Sequence, residues 1–313
     1  MKFLSIHITD LCNSSCRFCV VASPLYVSNS VDYESILRFL AANAGQGFEA
    51  VNLHGGEPTV HPMLLDLLQK IKDLGYPEVH LQTNAIRLAD PLFSANLVSL
   101  GTKKFIVSLH GDQPEIHDSQ TGTDGGLKRT LEGIRNVKRL GAHVRTNTVI
   151  TRQNLQRLTD ICRLACELGV DHINLSNLHP VGSALYARDI AMPDFNEVQQ
   201  QVYRAVDLVV NSDRVITLEG FPYCVIRDCR QYQLNNEHRE IRMLMRGQVI
   251  NDYERFMSDV MRVFGEPCQH CRLKAQCGGV YPQYIEYNGW KEFAPILDTS
   301  SSELQPSAQA GAN

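Results

Sequence analysis

The sequence predicts an α/β fold in which helices flank a parallel sheet. Short apolar segments typical of strands alternate with longer segments of helical periodicity up to about residue 190. Leu140-Gly141 and Leu168-Gly169 mark the ends of two helical segments, because glycine readily takes the left-handed conformation that closes a helix. The chain has 313 residues, 43% of them hydrophobic, which suffices for one large domain and a smaller one.

Six segments are predicted to be strands, each followed by a helical stretch. The strands are Leu4–Ile8, Ala50–Leu53, Val79–Gln82, Lys104–Leu109, Val144–Ile150 and His172–Leu175. The helices are Asp32–Ala44, Pro62–Leu74, Pro91–Leu100, Leu127–Leu140, Asn154–Leu168 and Phe195–Val210. Pro62 is expected to be the first residue of its helix and Gly75 the stop, and Arg239–Met261 is also expected to be helical. Because ligands of parallel α/β folds bind where the strands end, we expect functional side chains there.

Composition excludes several classes of function. The 30 Lys and Arg residues against 34 Asp and Glu give a net charge of −4, so nothing indicates binding to nucleic acid or to a membrane surface. No apolar segment approaches the length of a membrane span, and the first strand begins too early for a targeting peptide. Ten cysteines in such a chain predict a reducing, cytoplasmic location and metal or redox chemistry.

Three cysteines near the N-terminus form the most informative motif. Cys12, Cys16 and Cys19 are separated by three and then two residues, directly after the first predicted strand. Three thiolates on one short loop can hold three corners of a cubane iron–sulfur cluster and leave the fourth iron open for a small molecule. A disulfide with one leftover thiol would need an oxidising compartment. A zinc site would need a fourth ligand nearby, and His7 on its predicted strand is better suited to packing or to lining a cleft.

A second motif, Gly55-Gly56-Glu57-Pro58, follows the second predicted strand. Two glycines let backbone carbonyls approach a ligand closely, and Glu57 offers a negative partner for an ammonium group. With Phe18 directly before the third cysteine, the two motifs resemble those of the radical SAM superfamily. The resemblance implies a partial (β/α)6 barrel, a [4Fe–4S] cluster on the three cysteines and S-adenosylmethionine (SAM) as cofactor. It also implies an electron donor such as flavodoxin or ferredoxin.

The resemblance implies roles for further residues at the strand ends. Phe18 would contact the adenine of SAM, Gly55, Gly56 and Glu57 its methionine amino group and Asn84 its ribose, while Ser108 and Asn147 are matched only by strand position. Each of these residues has an alternative role as a strand-end cap or turn residue. His110 would either face the substrate or hydrogen-bond the loop that follows it.

A second cysteine group lies near the C-terminal end of the sequence. Cys268, Cys271 and Cys277 are separated by two and then five residues, and either Cys224 or Cys229 could supply a fourth ligand, with Cys224 preferred. Four cysteines in two groups suit a structural zinc knuckle and an iron–sulfur cluster equally. The spacing resembles that of SPASM or "twitch" extensions, which implies an auxiliary [4Fe–4S] cluster. No cysteine follows Cys277, which argues for one auxiliary cluster.

Three parts of the chain are predicted from these patterns. Residues 1–210 would form the radical SAM core and residues 211–298 the auxiliary-cluster domain. Residues 299–313, rich in Ser, Ala, Gln and Gly and without aromatic residues, would be a disordered tail. The other two cysteines, Cys162 and Cys166, lie four residues apart on a predicted helix and are expected to pack.

The resemblance implies an enzyme that cleaves SAM reductively, generates a 5′-deoxyadenosyl radical and abstracts a hydrogen atom. An auxiliary cluster closed by four thiolates would accept an electron and give an oxidised product, whereas one held by three could bind substrate. A ribosomally made peptide is the expected substrate, and the alternative is a small molecule such as a sugar, cyclitol or nucleoside. A non-catalytic metal-binding or electron-transfer protein is a third reading, but it would have no need for Gly55, Gly56 and Glu57. Tyr186, Tyr223 and Tyr281 are available to a substrate radical, and nothing singles one out.

Overall fold

The computed structural model describes residues 2–22, 31–187, 192–234 and 239–297, and one sheet of nine strands runs through them. The strands are β1 (Lys2–Thr9), β2 (Ala50–Gly55), β3 (Glu78–Thr83), β4 (Thr102–Ser108), β5 (His143–Val149), β6 (His172–Ser176), β7 (Val215–Glu219), β8 (Glu240–Met245) and β9 (Gln248–Ile250). Their order in the sheet is β7-β6-β5-β4-β3-β2-β1-β8-β9. All neighbours are parallel except β8 and β9, which form an antiparallel hairpin.

Helices follow most of the parallel strands, and the predicted α/β class is confirmed. The α-helices are α1 (Tyr33–Asn43), α2 (Leu64–Asp73), α3 (Pro91–Ser99), α4 (Pro114–Thr121), α5 (Gly126–Arg139), α6 (Leu158–Glu167), α7 (Phe195–Asn211), α8 (Tyr253–Asp259) and α9 (Pro282–Asn288). Aspartates cap the starts of α1 and α3, where Asp32 and Asp90 accept backbone N–H groups of the first turn. No helix in the described ranges is long and apolar enough to cross a lipid bilayer.

The two faces of the sheet differ in polarity. On β5, Val144, Thr146 and Thr148 are buried and alternate with the half-buried Arg145 and Asn147. A parallel sheet covered by helices on both faces shows near-continuous apolar strands, whereas this alternation indicates helices on one face only. The uncovered face therefore carries polar side chains such as Arg145 and Asn147. The cysteine motif begins at the end of β1, beside this face.

Two expectations about helices need correction. Pro62 is not the first residue of its helix, because His61 accepts the backbone N–H of Met63 on Nδ1 and the resulting turn delays the start of α2 to Leu64. Gly75 does end that helix, with a φ of +78° that suits glycine. Arg239–Met261 is not one helix, since it contains the β8–β9 hairpin and then the short α8.

The sheet continues beyond the predicted limit of the core at residue 210. β7 pairs with β6, and β8 pairs with β1 on the other side of the sheet. β8 was missed because its partner β1 lies more than two hundred residues away, and β7 because a five-residue strand has little periodicity of its own. The boundaries at 210 and 298 stay predictions, and the predicted tail lies outside the described residues.

Candidate functional site

Cys12, Cys16 and Cys19 lie on the loop that leaves β1, and all three are partly buried. Burial and the charge of Glu57 raise the pKa of Cys12 to about 12. Burial and the other two thiols of the loop likewise raise the pKa of Cys16. The three thiols therefore sit close enough to repel one another as thiolates, and iron would reverse this because it binds the thiolate form. The donor set fits a cluster with one open iron.

Neighbouring elements hold the cysteine loop in place through backbone hydrogen bonds. The donors and acceptors are Gly56 N to Thr9 O at 2.7 Å, Glu57 N to Leu11 O at 2.8 Å, Ser15 N to Thr121 O at 2.8 Å, Arg17 N to Gln120 O at 3.0 Å and Ser183 N to Cys19 O at 2.9 Å. These bonds tie the loop to the end of β2, to the last turn of α4 and to the segment after β6. The two motifs noted in the sequence are thus in direct contact.

The glycines of the second motif are required by that contact. A Cβ atom on Gly55, whose φ is +141°, would lie 2.4 Å from the carbonyl oxygen of Thr9. A Cβ atom on Gly56 would lie 2.2 Å from the carbonyl oxygen of Leu11. Either side chain would displace the cysteine loop, so the close approach observed is between two backbones. Contact of these glycines with SAM stays a prediction.

Glu57 is buried, with 1% of its surface exposed, and its carboxylate is surrounded by donors. Oε1 accepts from Thr59 N at 3.0 Å, Thr59 Oγ1 at 2.6 Å and Thr83 Oγ1 at 2.7 Å, and Oε2 accepts from Asn84 N at 2.6 Å. Burial raises the pKa of Glu57, and the hydrogen bonds oppose that rise. The carboxylate therefore joins the ends of β2 and β3, and it holds Asn84 in place.

Replacing Glu57 by alanine should weaken SAM binding by about tenfold or more, because several buried donors lose their acceptor and Asn84 loses its anchor. The measurement is equilibrium binding of SAM to reconstituted protein, with thermal unfolding followed in parallel. Glu132, whose side chain is 43% exposed on α5, supplies the control variant Glu132→Ala. Unchanged affinity in Glu57→Ala would remove Glu57 from the site.

The other predicted cofactor residues gather at the same strand ends. Asn84 Nδ2 donates to Asn13 Oδ1 at 2.7 Å and so touches the cysteine loop. Ser108 and Asn147 are register neighbours at the ends of β4 and β5. The ring of Phe18 packs edge-on against His110, with centroids 4.7 Å apart.

The ring of His110 bonds to β5 rather than to the loop that follows it. Its Nδ1 accepts the backbone N–H of Val149 at 3.3 Å, and its ring stacks on that of His117. Burial lowers the pKa of His110 to about 3, so the ring is neutral at physiological pH. His110 is thus a buried partner of β5 and of Phe18, and a role towards substrate stays a prediction.

A polar cluster on β5, β6 and β7 joins the predicted Asn147 to residues that sequence reasoning missed. Asn174 Nδ2 donates to Asn147 Oδ1 at 2.7 Å and to Glu219 Oε2 at 2.9 Å, and Ser176 Oγ donates to Asn147 Oδ1 at 2.7 Å. Arg145 lies 3.7 Å from Glu219 Oε2. The side chain of Glu219 remains 49% exposed although its Oε2 atom is fixed. Recognition of β7 would have revealed the cluster, since Glu219 ends that strand.

The second cysteine group surrounds one cavity. Cys224, Cys268, Cys271 and Cys277 all line one small apolar cavity. Burial and the thiols of Cys277, Cys268 and Cys271 raise the pKa of Cys224 to about 12. Cys229 is buried elsewhere, near Asp207 and Asp228. The structure thus brings Cys224, and not Cys229, to the other three.

Within the described ranges, no group of three or more His, Cys, Asp or Glu side chains is arranged to hold a metal ion. The fit of both cysteine groups to iron–sulfur clusters therefore rests on their donor sets, since a cubane places each thiolate on a different iron. Cys162 is fully buried in α6 and Cys166 packs beside the same core, as expected for packing residues.

Tyr281 connects the second cysteine segment to the sheet. Its ring stacks on that of His179, with centroids 4.0 Å apart, and its hydroxyl accepts a hydrogen bond from Arg262 Nη2 at 2.9 Å. Tyr223 lines the cysteine cavity, whereas Tyr186 is 86% exposed. Tyr223 and Tyr281 are both buried, and Tyr281 contacts the segment after β6.

The sequence and the fold both match known proteins. The model of the Radical SAM superfamily matches residues 6–165. A protein of Sulfurisphaera tokodaii called probable GTP 3′,8-cyclase is 33% identical over 180 residues, which are 57% of this chain and 56% of that protein. The chain thus spans little more than half the length of such curated relatives.

Two solved structures of SuiB from Streptococcus suis share the fold. The complex with S-adenosylmethionine has a TM-score of 0.67 at 18% identity and covers 94% of this chain and 76% of that one. The complex with the precursor peptide SuiA has a TM-score of 0.64 at 16% identity and covers 94% of this chain and 74% of that one. At these identities the likeness is one of fold.

Proposed function

Because the chain belongs to the radical SAM superfamily, we propose that it is an enzyme that modifies a peptide oxidatively with SAM and a [4Fe–4S] cluster held by Cys12, Cys16 and Cys19. The observation that carries this proposal is the second set of thiols, in which Cys224 joins Cys268, Cys271 and Cys277 around one cavity. Four thiolates would close an auxiliary [4Fe–4S] cluster and make it an electron acceptor rather than a substrate ligand.

When bound, these groups supply one-electron chemistry that removes a hydrogen atom from an unactivated carbon and takes up the electron left behind. The chain would position the cluster and SAM and keep water away from them. Backbone hydrogen bonds fix the loop around Cys16, so the three thiolates that would hold the cluster are kept in place. Asn84, held by the Glu57 carboxylate, would orient the ribose, and Phe18 would cover the adenine.

The polar cluster around Glu219 supports a peptide substrate. The half-exposed carboxylate of Glu219 stands beside the amides of Asn147 and Asn174, and the guanidinium of Arg145 lies 3.7 Å from it. Such a surface offers acceptor oxygens to N–H groups. The backbone amides and basic side chains of a peptide would supply donors to this carboxylate.

A nucleotide is the second candidate, and the sequence relatives favour it. The curated relative described above is called probable GTP 3′,8-cyclase and matches 57% of this chain. A cyclase acting on GTP would need GTP itself to accelerate the consumption of SAM.

Turnover with a randomised peptide library and with GTP separates the two candidates. We expect dithionite-reduced protein to release 5′-deoxyadenosine faster with the library than alone, and mass spectra to show peptides lighter by two hydrogen atoms. Glu219→Gln should lower this peptide-dependent turnover by about tenfold, since it removes the charged acceptor, while leaving substrate-free SAM cleavage unchanged. Acceleration by GTP and not by peptides would replace the peptide proposal.

A further inference from the structure

The turn of the β8–β9 hairpin lies against the loop that carries Cys12, Cys16 and Cys19. Arg246 Nε donates to Asp10 Oδ1 at 2.8 Å, and Arg246 Nη2 donates to the carbonyl oxygen of Val21 at 3.2 Å. Asp10 lies two residues before the first cysteine, and Val21 lies two residues after the third. A single guanidinium therefore bonds to both ends of the cysteine loop.

The backbone at Arg246 is one that its side chain does not favour. Met245 pairs with Gln248, so the hairpin turns in the two residues between them. Arg246 and Gly247 have φ values of +48° and +81°. A two-residue turn with both φ values positive prefers Asn-Gly, and an arginine at the first position is unfavourable. The turn alone gives no reason for an arginine, whereas the contacts of its guanidinium do.

The acceptor of this contact is buried. Asp10 has no exposed side-chain surface, and its Oδ1 atom also lies 2.9 Å from His7 Nε2. A carboxylate can only accept, so His7 carries its proton on Nε2 and donates it to Asp10. Removing the guanidinium would leave a buried carboxylate with one fewer donor, and the chain around Asp10 would rearrange towards water.

We infer that Arg246 is a positioning residue, which fastens the two ends of the cysteine loop and so arranges the three thiols before a cluster is bound. The inference rests on the proposed role of Cys12, Cys16 and Cys19, and it assigns a task to a hairpin from the segment after residue 210. A loop whose ends are held loses less entropy when its thiolates close around a cluster. The β8–β9 hairpin would thereby support the first cluster without touching SAM.

The test compares Arg246→Asn with Arg242→Gln. Asparagine suits the turn, so the hairpin should remain formed while the guanidinium is lost. Arg242 lies on β8, the strand that leads into this turn, but its guanidinium bonds to Asn43 and Gln46 and not to the cysteine loop, which makes it a matched control.

Hydrogen exchange in the metal-free protein gives the first readout. Amides of residues 10–22 should exchange about tenfold faster in Arg246→Asn, whereas those of β8 and β9 should not, and Arg242→Gln should leave residues 10–22 unchanged. In reconstituted protein, a chelator should remove the first cluster's iron faster from Arg246→Asn than from wild type, and at the wild-type rate from Arg242→Gln. Arg246→Lys, which keeps the charge near Asp10 but lacks the fork that reaches Val21, should be intermediate.

Unchanged exchange at residues 10–22 in Arg246→Asn would overturn the inference, whatever the state of the cluster. If Arg246→Asn melted at a much lower temperature than Arg242→Gln, the same exchange measurement on Arg246→Lys would decide. A general loss of stability accelerates exchange in every strand, whereas loss of the Arg246 contacts accelerates it in the loop alone. Failure of wild-type protein to bind iron at the three cysteines would instead count against the proposed function, and it would leave the exchange result standing.

Discussion

Replacing Cys16 by alanine should abolish reductive cleavage of SAM. Cys16 would be the middle ligand of a set of three, and two thiolates on one loop do not hold a cubane cluster in place. We expect about four irons per protein to be lost and the absorbance of the C-terminal group to be retained. The measurements are iron and sulfide content after anaerobic reconstitution and release of 5′-deoxyadenosine under dithionite.

Cys166→Ala is the matched control for this variant. Cys166 lies on α6, far along the chain from both groups, and its thiol packs against the core. Its removal should leave iron content and SAM cleavage as in wild type. Full SAM cleavage by Cys16→Ala would contradict the assignment of the first motif, even if the overall iron content fell.

The parallel sheet was predictable because its information is local. Each strand of the core is a short apolar segment followed by a helix with its own start and stop signals, such as Asp32 and Gly75. The cysteine spacing and the Gly55–Glu57 segment are likewise local patterns. Their placement at one edge of the sheet then follows from the geometry of parallel strands, which all end on the same side.

The features that escaped prediction depend on partners distant in sequence. β8 is a strand because it pairs with β1, although the two are more than two hundred residues apart. The contact of Gly56 with the cysteine loop was not visible in the sequence, because it depends on Leu11, forty-five residues earlier. The donors that surround Glu57 at the end of β3 were not visible either, and contact of both residues with SAM stays a prediction. No periodicity in the sequence reports such contacts.

Removing the thiol of Cys224 should empty the second site, whereas removing that of Cys229 should not. Cys224 faces the cavity lined by Cys268, Cys271 and Cys277, and Cys229 faces two aspartates instead. Sequence alone left both candidates open because each lies more than thirty residues before the other three. The background should be a Cys12/Cys16/Cys19 triple-alanine variant, so that only the second group binds metal.

In that background we expect about four irons and four sulfides, a fall to near zero in Cys224→Ala and no change in Cys229→Ala. The peptide proposal depends on this result, because an auxiliary cluster that is closed by four thiolates is what makes an oxidised product reachable. Zinc without sulfide would make the group a structural knuckle and remove the electron acceptor. Iron retained by Cys224→Ala would leave three thiolates and an open iron, which suits direct binding of a substrate such as a nucleotide and would move the function towards the cyclase relatives.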